Sequence, residues 1–181
     1  METTKQPLIT VVMPNYNGRR FVEQAIDSVL NQTYSNFELL VVDDCSKDDS
    51  LQLIQQKAQS DDRIRIIALE HNAGVANARN VGIKEAKGEF IALLDNDDLW
   101  TEDKLERQLA LAQKGADIVY CSYDFIDEQN NSIKKPFVDG VASGLLDCIW
   151  RPESADALPP GQWIKIEQKG QCGQRAVEYI S

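Results

Sequence analysis

Between residues 8 and 125 the chain alternates short, continuous apolar runs with stretches whose apolar residues recur at helical spacing. Leu8 to Pro14, LITVVMP, is β-branched, unbroken and closed by proline, which is the pattern of a strand buried on both faces. In GRRFVEQAIDSVLNQ, Phe21, Ala25, Ile26, Val29 and Leu30 fall on one face and Arg20, Glu23, Gln24 and Asp27 on others, which predicts a helix. FELLVVDD, Phe37 to Asp44, reads as a second strand. Ser46 followed three residues later by Asp49 reads as a capping box opening the helix DSLQLIQQKA. RIRIIAL is a third strand, GVANARNVGIKEAKG a helix between Gly74 and Gly88, and EFIALLD a fourth strand. TEDKLERQLALAQKG is a helix with Thr101 as N-cap and Gly115 as its stop, and ADIVYCSYDF is a fifth strand.

Strand and helix alternating over short connections predict an α/β fold with a mostly parallel sheet flanked by helices. Ligands of such sheets sit beyond the carboxyl ends of the strands. The polar residues gather there. Pro14, Asn15, Tyr16 and Asn17 follow the first strand and Asp43 and Asp44 the second; His71, Asn72 and Gly74 follow the third, and Asp95, Asn96, Asp97 and Asp98 the fourth. Asp95 and Asp97 are two residues apart, so in extended backbone both carboxylates leave the same side and offer hard oxygen donors to Mg2+ or Mn2+. Such an ion keeps part of its shell for water and substrate phosphates, which implies a diphosphate ligand. The competing reading is an acidic loop that complements the dipole of the next helix. Of Asp43 and Asp44, one reads as a solvated turn residue, most simply Asp44.

TVVMPNYNGRRFVEQAIDSVLNQTYSNFELLVVDDCSKDDS and NAGVANARNVGIKEAKGEFIALLDNDDLW resemble the family 2 glycosyltransferases, nucleotide-sugar enzymes of the GT-A fold, over residues 7 to 127. Several separated blocks in the right order make this more specific than a lone D-x-D. The resemblance implies a Rossmann-like sheet in which Pro14 and Tyr16 border the nucleobase and Asp43 accepts from a ring N–H of the base. It places Arg79 near the phosphates or base, Asp95 at the ribose or in the metal shell, and Asp97 as the principal ligand of a divalent ion bridging the donor diphosphate. The implied reaction is inverting transfer of a sugar from a nucleotide-sugar, a UDP-sugar first, to a glycan or lipid-linked glycan acceptor. The ion would stabilise the departing diphosphate and a carboxylate base would deprotonate the acceptor.

Composition changes this picture in two ways. A net charge of -10, from 19 basic and 29 acidic residues among 181, argues against nucleic acid as partner. That whole deficit lies in the first 128 residues; residues 129–181 hold six basic and six acidic side chains and show no matching block. The expected organisation is therefore a nucleotide-sugar-binding domain over 1–128 and a divergent or truncated segment over 129–181. Asp147, Glu153, Asp156 and Glu167 are the acids available there as a base, and none has a motif around it. Trp150 and Trp163 read as packing residues before sugar platforms.

The four cysteines, Cys45, Cys121, Cys148 and Cys172, lack metal spacing and read as reduced thiols. No apolar run spans a bilayer and no signal peptide opens the chain, so the expectation is a cytoplasmic protein, with peripheral membrane association left open. The single histidine, His71, has no partner motif for a hydrolase or zinc enzyme and reads as a surface residue. Two rivals to the transferase stay open: a nucleotide-sugar-binding module without catalysis, and a sugar nucleotidyltransferase, whose usual basic, glycine-rich loop PNYNGRR only faintly matches.

Overall fold

The structure, a computed structural model, describes residues 6–116, 118–119, 121–132, 149–150 and 175–179, with side chains except at 122–125, 150 and 175–179. Asp147, Glu153, Asp156, Glu167, Trp163, Cys148 and Cys172 lie outside the described residues. The elements run β1 (Ile9–Asn15), α1 (Val22–Leu30), β2 (Phe37–Asp43), α2 (Ser50–Ser60), β3 (Ile64–Ala68), α3 (Val75–Glu85), β4 (Phe90–Leu93), β5 (Leu99–Trp100) and α4 (Lys104–Ala112). They continue with β6 (Ile118–Val119), β7 (Ser122–Ile126), β8 (Ile149–Trp150) and β9 (Arg175–Tyr179).

Four strands, in the order β3-β2-β1-β4, are parallel, as the continuous apolar runs require. Every residue of β1 and β2 is buried. Ile9, Val11, Met13, Leu39 and Val41 face α1, α2 and α4, while Val12, Leu40 and Val42 lie on the α3 side. The register brings Asn15 level with Asp43, and Asp43 level with Ala68. The chain therefore leaves neighbouring strands at one height and sets their polar tails side by side.

The run ADIVYCSYDF does not form one strand. Ile118–Val119 joins the main sheet beside β8, whereas Ser122–Ile126 pairs with β9 in a second, three-stranded sheet that also holds β5. Apolar composition marks such a run as buried but carries no signal for a change of sheet. β8 inserts antiparallel between β4 and β6, and β9 lies between β5 and β7, so both described strands from beyond residue 128 are built into sheets begun before it.

Two expected caps are corrected. Thr101 is not the N-cap of α4, which starts after Asp103; the Thr101 hydroxyl donates to the Asp103 carboxylate at 3.1 Å. Ser46 does not cap α2 either, because its hydroxyl is drawn to Asp43. Asp48 takes over the first turn of α2, accepting from the Ser50 N–H at 3.0 Å. Gly115 does mark the stop after α4, at φ 100, where a residue without Cβ turns the chain freely.

Candidate functional site

The site is built where β1, β2 and β4 end. Asp43, 1% exposed, accepts through Oδ1 from Asn15 Nδ2 at 2.7 Å and from the Ser46 hydroxyl at 2.5 Å, and through Oδ2 from the Ser46 N–H at 3.0 Å. It thus stands at the floor of the strand ends with its carboxylate already organised. Pro14 lies inside β1, buried and level with Val42, whereas Tyr16 stands 49% exposed just beyond the strand. The β1–α1 and β2–α2 loops are laced together: Asn17 N–H donates to the Ser46 hydroxyl at 3.0 Å, and Lys47 N–H to the Asn17 side-chain oxygen at 2.8 Å. Arg19 N–H donates to Asp48 at 3.0 Å. Burial pushes the Asp48 carboxyl up, but hydrogen bonds from the Ser50 hydroxyl and from the Arg19 and Ser50 N–H groups outweigh it and hold the pKa below its ordinary value.

Asp44 is not the solvated turn residue that the sequence suggested. It is 2% exposed, and its two oxygens accept from the N–H groups of Ala73 and Gly74, each at 2.8 Å. Its carbonyl also accepts from Asn72 Nδ2 at 3.2 Å. One buried carboxylate therefore holds the segment that leads into α3. No local pattern announces this, because the donors lie some thirty residues further along. His71 is exposed, as expected.

α3 in turn presents Arg79. This guanidinium is 3% exposed and its Nη2 donates to Asp95 Oδ1 at 2.5 Å, while its Nε has no hydrogen-bond partner among the described residues. Asp95 to Asp98 is a turn, closed by Asp98 N–H donating to the Asp95 carbonyl at 3.2 Å. The extended geometry expected for the D-x-D pair is thus replaced by a tighter one, with a chemical consequence. A carboxylate oxygen from each of Asp95, Asp97 and Asp98 comes within 4.8 Å of the others, so Asp98 joins the pair read from sequence.

Three hard oxygen donors at this spacing fit a divalent cation, which would relieve their mutual repulsion. Arg79 pins Asp95 from behind, so the half-buried carboxylate keeps a fixed direction. The signal for Asp98 was present in D-N-D-D; the assumption of extended backbone hid it.

The model of the family described as Glycosyl transferase family 2 matches residues 10–165. The chain belongs to this family. A glycosyltransferase assigned to teichuronic acid biosynthesis in Bacillus subtilis is 37% identical over 81% of the chain and 62% of that relative. The UDP-Glc:alpha-D-GlcNAc-diphosphoundecaprenol beta-1,3-glucosyltransferase of Escherichia coli is 42% identical over 72% of the chain and 51% of the relative. The chain thus spans from about half to under two thirds of the length of these two relatives. Among solved structures, a Pyrobaculum calidifontis mannosyltransferase in complex with GDP-Man and Mn2+ has a TM-score of 0.69 at 24% identity, over 86% of this chain and 48% of that one. S. aureus TarS in complex with UDP has a TM-score of 0.63 at 23% identity, over 82% of this chain and 48% of that one. The fold of this family 2 member is the GT-A fold, as the family resemblance implied, and it carries the mostly parallel sheet that the alternation of strands and helices predicted. Among the described residues, no helix is long and apolar enough to cross a membrane.

Proposed function

We propose that this family 2 chain carries the donor-binding part of a metal-assisted glycosyltransferase that takes its sugar from a nucleoside diphosphate, uridine diphosphate first. The observation that carries the reading is the cluster of Asp95, Asp97 and Asp98 at the end of β4, with their carboxylate oxygens within 4.8 Å and a buried arginine behind Asp95. In this reading Asp95, Asp97 and Asp98 each offer a carboxylate oxygen and together hold Mg2+ or Mn2+. The ion supplies Lewis-acid stabilisation of the charge that grows on the departing diphosphate. Tyr16, exposed above the end of β1, offers a ring face to the base, and Asp43 offers an acceptor to a ring N–H. Arg79 sets the direction of Asp95 and adds positive potential next to the phosphates. The uridine preference draws support from the E. coli relative, whose name specifies UDP-Glc. An undecaprenyl-linked acceptor is proposed on the same ground, with transfer inverting at the sugar carbon.

The test is calorimetric titration of uridine, guanosine and adenosine diphosphates into the protein with and without Mn2+, followed by a screen of UDP-sugars for release of the diphosphate. Metal-dependent binding that favours the uridine compound supports the reading. Binding that ignores both metal and base refutes it.

A further inference from the structure

Three carboxylates crowded into one turn repel one another, so the turn needs an anchor besides the Arg79–Asp95 pair. Asn96 provides it. Its Nδ2 donates to Asn15 Oδ1 at 2.7 Å, reaching from the end of β4 to the end of β1. Asn15 is 1% exposed, and the two hydrogens of its amide nitrogen are shared among Asp43 Oδ1 at 2.7 Å, the Ser50 hydroxyl at 3.0 Å and the Ser46 hydroxyl at 3.1 Å. One buried amide therefore reaches the acidic turn on its acceptor side and the β2 end on its donor side. An asparagine can do this because it carries a donor and an acceptor on one short, planar head.

Gly18 bears on the same contact. A Cβ at that position would lie 2.2 Å from Asn96 Nδ2 and 2.3 Å from Asn15 Oδ1, inside the hydrogen bond itself. Its φ is not in the left-handed region, so glycine is needed here for space rather than for backbone freedom. Two side chains and a missing third thus converge on one hydrogen bond between strand ends.

We propose that Asn15 is a positioning residue for the cation site: acting through Asn96, it holds the Asp95–Asp98 turn in the geometry that binds the ion and ties it to the end of β2. The proposal rests on the cation reading above and adds to it residues that touch neither ion nor nucleotide.

Asn96→Ala cuts the contact from one side and Gly18→Ala wedges it from the other, while Ser50→Ala removes a different bond of Asn15 and leaves the contact with Asn96 intact. Mn2+ binding is read by electron paramagnetic resonance in the absence of nucleotide, and amide hydrogen exchange of residues 94–98 is read in the metal-free protein. Asn96→Ala and Gly18→Ala are expected to weaken Mn2+ binding about 10- to 100-fold, the usual effect of removing an outer partner of a metal site. Exchange in the turn should be faster while the protection of β1 to β3 stays, which shows that the fold is intact. Ser50→Ala should keep wild-type Mn2+ affinity. Wild-type affinity and wild-type exchange in both contact variants would overturn the proposal and leave the cation reading standing, as would an equal loss in Ser50→Ala. Failure of the wild-type protein to bind Mn2+ both alone and with uridine diphosphate present would bring down both.

Discussion

Arg79 Nη2 lies 2.5 Å from Asp95 Oδ1, and this pair joins the first half of α3 to the carboxylate turn after β4. The arginine side chain is 4% exposed and the aspartate 27%, so the two ends of the bond pay different desolvation costs. Asp95→Ala would leave a buried guanidinium whose Nε already lacks a partner among the described residues. The expected loss is about 3 to 5 kcal/mol, the range for breaking a buried pair from one side. Urea denaturation measures it, and a loss below about 1 kcal/mol would mean that water already reaches Arg79.

Asp97 sits two residues away and should behave in the opposite manner. It is exposed, and Asp97→Asn removes one of three like charges within 4.8 Å. The metal-free variant should keep the fold, since asparagine retains the shape of the side chain and a hydrogen-bonding oxygen. Its metal-dependent binding of uridine diphosphate should vanish. Unchanged metal dependence would remove Asp97 from the ligand set.

The contrast between these neighbours shows what sequence can carry. That β1, β2, β3 and β4 are buried parallel strands was legible because each is a continuous apolar run with polar residues at its carboxyl end. That Asp95 differs from Asp97 was not, since the difference comes from Arg79, sixteen residues earlier and on another element. Asp44 is the same case: a turn acid and a buried acceptor of two N–H groups look alike until the loop before α3 is in place. The split of β6 from β7 escaped for another reason, since an apolar run records burial but not which sheet buries it.

Cys45 occupies a left-handed backbone conformation, φ 62, in the loop after β2. A side chain with a Cβ is strained there by about 1 to 2 kcal/mol, while glycine gives back about 0.4 to 1 kcal/mol through its freer unfolded chain. Against this stand, among the described residues, two sulfur contacts, with Lys47 Nζ at 3.0 Å and the Glu70 carbonyl at 3.5 Å. Cys45→Gly should therefore raise stability slightly and Cys45→Val, β-branched, should lower it by more than 1 kcal/mol. Thermal unfolding gives the order, and valine at or above glycine would show that the loop relaxes.

Glu38 ties the lower ends of the strands together. It accepts from the Thr10 hydroxyl at 2.6 Å, from Arg65 Nη1 at 2.8 Å and from the Lys87 N–H at 2.9 Å. Burial pushes its carboxyl up, but the bonds from Thr10, Arg65 and Lys87 outweigh that and leave the pKa below its ordinary value. A carboxyl that is more acidic folded than unfolded stabilises the fold above the unfolded pKa. That contribution is lost as pH falls from the usual glutamate range, about 4.3, through the lower folded value. Glu38→Gln should flatten the fall of the urea midpoint with acid over that interval. An unchanged slope would assign the acid sensitivity to other carboxylates.

Asp43 gives the sharpest test of base recognition, because its geometry cuts both ways. Its carboxylate is already engaged by Asn15 and Ser46, so the residue organises the loop whether or not a nucleotide is bound. A uracil ring N–H can add one more donor to such a carboxylate, whereas the corresponding ring nitrogen of adenine is an acceptor and cannot. Removing the acceptor leaves the uracil N–H unpaired in the complex, which costs about 1 to 3 kcal/mol, while any loosening of the loop weakens both nucleotides alike. Asp43→Ala should accordingly weaken uridine diphosphate more than adenosine diphosphate, with the difference between the two losses reporting the base contact alone. Calorimetric titration at fixed Mn2+ measures both, and equal losses would confine Asp43 to holding Asn15 and Ser46 in place.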